Sequence, residues 1–106
     1  MNGARRLNEE VYVKSTIHNR EVLVAVCDAD LLGKTLEGGR VPFKVSESFY
    51  KGELMEVETS LDFIKRGTIV NVVGKKVVEA AIEARLVHPE AVLYIGQIPH
   101  AQIVRI

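Results

Sequence analysis

The sequence predicts an α+β fold, a single-domain two-layer αβ sandwich. Its mixed sheet opens with an N-terminal hairpin, and one long helix lies near residues 75–87. Three observations predict this. Two strand-like runs, 11–17 and 22–27, are joined by a short polar break. Strands and helices do not alternate strictly along the chain, which argues against a doubly wound parallel sheet. Val78, Ile82 and Leu86 repeat every four positions with Val77 and Ala81 beside them, the longest helical pattern in the chain.

Taken in order, residues 1–10 are polar and are expected to form a flexible leader ahead of a domain spanning 11–106. Val11, Val13 and Ser15 alternate with Tyr12, Lys14 and Thr16, the period of a strand that ends near Ile17. In the break that follows, Asn19 tolerates positive φ and suits a tight hairpin. Val22 to Cys27 is apolar on both faces, as a central strand covered on both sides would be. Asp28 is a good N-cap and Gly33 a natural stop, so one helical turn is expected between them. Arg40 to Val45 reads as a short strand, placed at a sheet edge by Pro42, which has no N–H to donate. Ser46 can cap a short helix through Tyr50, and Lys51-Gly52-Glu53 reads as a turn. Thr59 or Ser60 can cap a helix that runs to Arg66 and is closed by Gly67. Thr68 to Val73 is β-branched and strand-like, and Gly74 breaks it. His88-Pro89 closes the long helix, because the residue before proline avoids the helical region. Ala91 to Ile95 reads as a strand, Gly96 to Pro99 as a turn and Gln102 to Ile106 as a last strand. Residues 68–95 are expected to form one βαβ unit. The apolar Ile103, Val104 and Ile106 would let that last strand pair with a second copy of the chain, a possible homodimer.

Composition narrows the function classes. The 106 residues are 47% hydrophobic and carry 14 basic and 14 acidic side chains, a balance that excludes a disordered tail. Zero net charge lacks the basic excess of a dedicated nucleic-acid binder and leaves room only for a local patch. Trp is absent, and no basic pair lies beside an aromatic cluster. The single cysteine, Cys27, can form neither an internal disulfide nor a CxxC zinc site, which suits a reducing compartment. Met1 to Glu10 shows no signal-like apolar core. No apolar run approaches the ~20 residues of a membrane span. The expected localisation is cytoplasmic, with no membrane partner.

Three constellations could carry chemistry. Asn71-Val72-Val73-Gly74-Lys75-Lys76 lies at a strand-to-helix turn, where free N–H groups can hold an anion. Two lysines stand there against the helix dipole, which points to a phosphate or acidic partner unless they are simply solvated. Gln97-Ile98-Pro99-His100-Ala101-Gln102 gathers donors and acceptors in a turn, where His100 could bind phosphate, act as a base or cap the backbone. Cys27 would be a nucleophile only beside a base or a positive helix end, and otherwise packs as a small apolar residue. The candidate anion- or partner-binding residues are therefore Asn71, Gly74, Lys75, Lys76, His100 and Gln102, with no catalytic set assigned. His18, His88 and His100 have no metal-ligand spacing, and no cofactor is expected. Glu53, Glu56, Glu58 and Asp62 read as a solvated acidic patch.

Four strings occur together: Val22-Leu23-Val24-Ala25-Val26-Cys27-Asp28, Leu31-Leu32-Gly33-Lys34, Phe43-Lys44-Val45-Ser46-Glu47, and Pro99-His100-Ala101-Gln102-Ile103-Val104-Arg105-Ile106. With them the chain resembles, over nearly all of its length after the first ten residues, a small archaeal family. That family is known only as a domain of unknown function, number four hundred twenty-four. The resemblance implies a two-layer αβ sandwich and the genomic company of translation factors, and assigns no catalytic role. One departure is Arg85, where the family commonly has glycine ahead of Leu-Val; a left-handed backbone is less expected there. The resulting expectation is a non-enzymatic accessory or binding module, whose partner is RNA or a protein of the translation machinery. The alternative is a phosphate-ligand-binding protein or enzyme that uses the 71–76 turn together with His100.

Overall fold

The structure, a computed structural model, describes residues 9–105. β1 (Glu10–His18) and β2 (Glu21–Asp28) form the expected antiparallel hairpin, in register from Val11 opposite Asp28 to His18 opposite Glu21. Its two-residue turn holds Asn19 at φ 51° and Arg20 at φ 71°. Both residues have the positive φ that a type I′ turn requires, which suits the right-handed twist of the two strands.

β3 (Thr35–Leu36) and β4 (Phe43–Lys44) make a separate small ribbon. The expected strand 40–45 is thus only two residues long, and Pro42 lies outside it. In α1 (Glu47–Tyr50) the Ser46 hydroxyl accepts the N–H of Phe49 at 3.3 Å, the cap its position promised. β5 (Glu53–Glu56) follows and pairs antiparallel with β1. The sequence reading placed a turn and a solvated patch there. The side chains are indeed mostly exposed, but the backbone completes a sheet edge.

α2 (Val57–Arg66) starts earlier than expected, at Glu56, with no side-chain cap. Ser60 is buried inside the helix, and its hydroxyl donates to the Val57 carbonyl at 2.6 Å. β6 (Ile69–Val73) runs parallel to β2. α3 (Lys75–Glu83) follows, and then β7 (Leu93–Ile95) and β8 (Ile98–Val104).

The six-stranded mixed sheet has the order β5-β1-β2-β6-β8-β7. This order bears on two expectations. β6 and β7 are both antiparallel to β8 and so parallel to each other, which makes β6, α3 and β7 the expected βαβ unit with β8 lying between its two strands. β7 covers β8 only from Ile98 to His100, so Ile103 and Val104 are paired with β6 on one side and have no strand on the other among the described residues. Ile106 lies outside the described residues, as does most of the expected flexible leader. The rest of that leader, Glu9 and Glu10, leads directly into β1.

α2 and α3 cover one face of the sheet. Val11, Val13, Val24, Val26, Val70 and Val72 meet Ile64, Val77, Val78 and Ala81 in a valine-rich core. Each fully buried side chain of this size contributes roughly 1.5–3 kcal/mol. The opposite face is covered only in part. Residues 31–50 lay Leu31, Leu36, Val45 and Tyr50 over Ala25, Cys27 and Val73. The remainder of that face, nearer the β1–β2 turn, is open.

α3 is shorter than the expected 75–87. Arg85 adopts φ 62°, contrary to the expectation drawn from its lacking glycine. Its N–H donates to the Ile82 carbonyl, and the Leu86 N–H reaches back to that of Ala81 at 2.8 Å. This pair of reversed bonds is how an α-helix ends through a left-handed residue. The geometry that glycine adopts freely is thus formed with arginine.

Candidate nucleic-acid interface

The N-terminal end of α3 already holds an anion, supplied by the chain itself. The Asp28 carboxylate, at the end of β2, accepts the Lys76 N–H at 2.9 Å and the Val77 N–H at 3.0 Å. Asp28 is 5% exposed. Burial pushes its pKa above the ordinary value, while the two backbone bonds pull it back down. Gly74, at φ 123°, leaves room for this contact, because a side chain there would collide with the carboxylate. The turn 71–76 therefore does not offer those N–H groups to an external phosphate. The lysines at a positive helix end have a local reason as well, since Lys76 stands beside a buried carboxylate. Asp28 was expected to cap the turn that follows it, Ala29–Leu31, but makes no side-chain bond there.

The proposed association of this turn with His100 is also corrected. The Gly74 N–H donates to the Pro99 carbonyl at 3.0 Å, so the two backbones do meet. Asn71 shares the face of His100, but the helix that begins with Lys75 and Lys76 does not. α3 packs on the helical side, whereas His100 stands opposite Val73 on the other side and touches the Phe43 ring at 5.1 Å between centroids. Segment 97–102 is largely strand rather than turn, with Pro99 opposite Tyr94. The His100 Nε2 is buried with no hydrogen-bond partner among the described residues, and burial lowers the pKa of the ring. Cys27 is fully buried, and burial, with Asp28 adding to it, raises its pKa to about 12. It is no nucleophile at neutral pH. Among the described residues, no group of three or more His, Cys, Asp or Glu could hold a metal ion.

Two of the candidates do come together, on the open part of the sheet. Asn71 of β6 and Gln102 of β8 are cross-strand neighbours, and the Gln102 amide donates to the Asn71 carbonyl at 2.7 Å. Asn71 lines a trough of about 410 Å³ on this face. The alternation of β1 brings Lys14, Thr16 and His18 to the same trough, and α1 adds Ser48 and Phe49 at its rim. The Lys14 ammonium donates to the Ser48 carbonyl at 2.6 Å and ties the rim to the floor. Phe49 is 49% exposed and packs against Tyr50 in a T-shaped contact. No Asp or Glu is among the residues lining the trough. Sequence reasoning found Asn71 and Gln102 but missed Lys14, Thr16, His18 and Phe49. The alternation along 11–17 marked one face as polar, yet only the pairing of β1 with β2, and of β2 with β6, places that face beside Asn71.

The layout defines a small α+β protein with two helices on one face of a six-stranded mixed sheet and a partly uncovered second face. The chain belongs to the family described as "Protein of unknown function (DUF424)", whose model matches residues 15–106. A crystal structure of an uncharacterized conserved protein from Methanopyrus kandleri is similar, with a TM-score of 0.77 and 25% sequence identity. The match covers 92% of this chain and 94% of that one. No curated protein matches the chain. Among the described residues, no helix is long and apolar enough to cross a membrane.

Proposed function

We propose that the chain is a non-enzymatic RNA-binding accessory module that receives single-stranded RNA on the open part of its sheet. The observation that supports this is the trough itself, which combines a lysine, a histidine, a half-exposed phenylalanine and a polar amide pair with no carboxylate. A cation for phosphate, here Lys14, and an aromatic face for a base are the two elements of a single-strand platform. The genomic company of translation factors that the resemblance implies would favour RNA of that machinery.

Zero net charge sets the expected strength. With Lys14 as the charged phosphate contact, the logarithm of affinity falls with the logarithm of salt at a slope of about −0.7. The test is fluorescence anisotropy of a labelled single-stranded RNA of about twelve nucleotides, long enough for one such platform. Lys14→Glu and Phe49→Ala should each weaken binding severalfold, and Lys75→Glu with Lys76→Glu should change it little. Absence of binding, or a loss confined to the double lysine variant, contradicts the proposal. A parallel readout is the 260/280 nm absorbance ratio of gently purified protein. With no Trp and 3 Tyr the chain itself absorbs weakly, so bound RNA raises the ratio and a high-salt wash lowers it again.

A further inference from the structure

We infer that the Asn71–Gln102 pair reads the hydrogen-bonding edge of one unpaired nucleobase seated in the trough beside Phe49. This rests on the RNA-binding reading above and adds to it a preference among bases. The pair is fixed by its own bond of 2.7 Å between β6 and β8. That bond consumes the Asn71 carbonyl and one N–H of Gln102. The Asn71 amide nitrogen and the Gln102 carbonyl remain, a donor and an acceptor on adjacent strands. If both amides were turned over, one donor and one acceptor would still remain.

A donor beside an acceptor is the pattern that the pairing edge of a nucleobase presents, and amide side chains are the usual partners of such edges. Asn71 is half-buried and lines the trough, and Gln102, its cross-strand neighbour on β8, is exposed. A volume of about 410 Å³ falls at the lower end of the ~300–1,000 Å³ typical of small-ligand sites. One nucleotide fits this scale; a duplex does not. Lys14 and His18 come from β1, and two strands separate them from Gln102. Charge and amide pair are therefore spatially separated, as backbone and base are in a nucleotide. A free mononucleotide and an unpaired residue of an RNA strand share this chemistry.

The experiment compares single-stranded rA, rC and rU homopolymers of equal length, and the matching 5′-mononucleotides, on wild type, Asn71→Ala and Gln102→Ala. Thermal melts confirm that the variants fold. Wild type should prefer one homopolymer by roughly five- to a hundredfold, the range of a two-bond base contact. Each alanine variant should erase most of that preference while leaving affinity for the weakest homopolymer nearly unchanged. A mononucleotide that binds as tightly as its homopolymer, with the same preference, identifies the ligand as a free nucleotide. One that binds far more weakly identifies it as a strand. Equal binding of all homopolymers by wild type, or a preference that survives both variants, overturns the inference while the RNA-binding reading stands. Absence of any RNA binding overturns both.

Discussion

Asp28 holds two backbone N–H groups of a helix that begins 47 residues later in the chain. Replacing it by alanine should remove both bonds and destabilise the fold by about 1–3 kcal/mol, measured by urea unfolding. The pH dependence of that loss has a defined sign. The pKa of Asp28 is raised in the fold above its ordinary 3.8, so the folded state holds the proton more tightly than the unfolded state does. Its stabilising share is therefore complete below the ordinary value and declines as pH rises through the raised one. The gap between wild type and Asp28→Ala should be wider near about pH 4 than near about pH 7. A second residue-scale outcome concerns Arg85, whose φ of 62° glycine adopts without a Cβ penalty. Arg85→Gly should raise stability by about 0.5–1 kcal/mol and leave the spectrum of the fold unchanged.

At the scale of elements, the sheet is tied to its helices at their ends as well as through the core. The Arg105 guanidinium, just past β8, donates to the carbonyls of Ile64 and Gly67 at the C-terminal end of α2. A cation there satisfies free carbonyls and complements the negative helix end. Arg105→Ala should cost about 2 kcal/mol and should be visible as faster amide exchange at the last turn of α2. What could be read from the sequence follows the same division. The β1–β2 hairpin was legible because alternation, an apolar strand and Asn19 all lie within 18 residues, from Val11 to Asp28. β5 was not, because its four side chains are mostly exposed and its identity as a strand comes only from pairing with β1. β8 was read as turn then strand because Pro99, His100 and Gln102 break the apolar run. The pleat sends His100 and Gln102 to one face while Ala101 and Ile103 enter the core on the other. The 71–76 turn looked like an anion site for a sound local reason, but its anion comes from β2.

At the scale of the whole molecule, the two faces of the sheet have different tasks. The helical face is sealed by valines, and the loop half of the other face seals Cys27 beneath residues 31–50. With its thiol raised to about 12, Cys27 should resist a disulfide reagent at about pH 8 and react only as fast as that layer opens. Prompt labelling of the folded protein would contradict this packing. The half of the sheet face left open carries Lys14, His18, Phe49 and Asn71, and it is the surface proposed above to receive RNA. The most direct test is amide chemical-shift mapping of the isotope-labelled protein during titration with single-stranded RNA. The account predicts perturbations confined to Lys14–His18, Leu23–Ala25, Ser48–Phe49, Ile69–Asn71 and Gln102. Shifts centred on Lys75 and Lys76 at the start of α3, or none at saturating RNA, would contradict it.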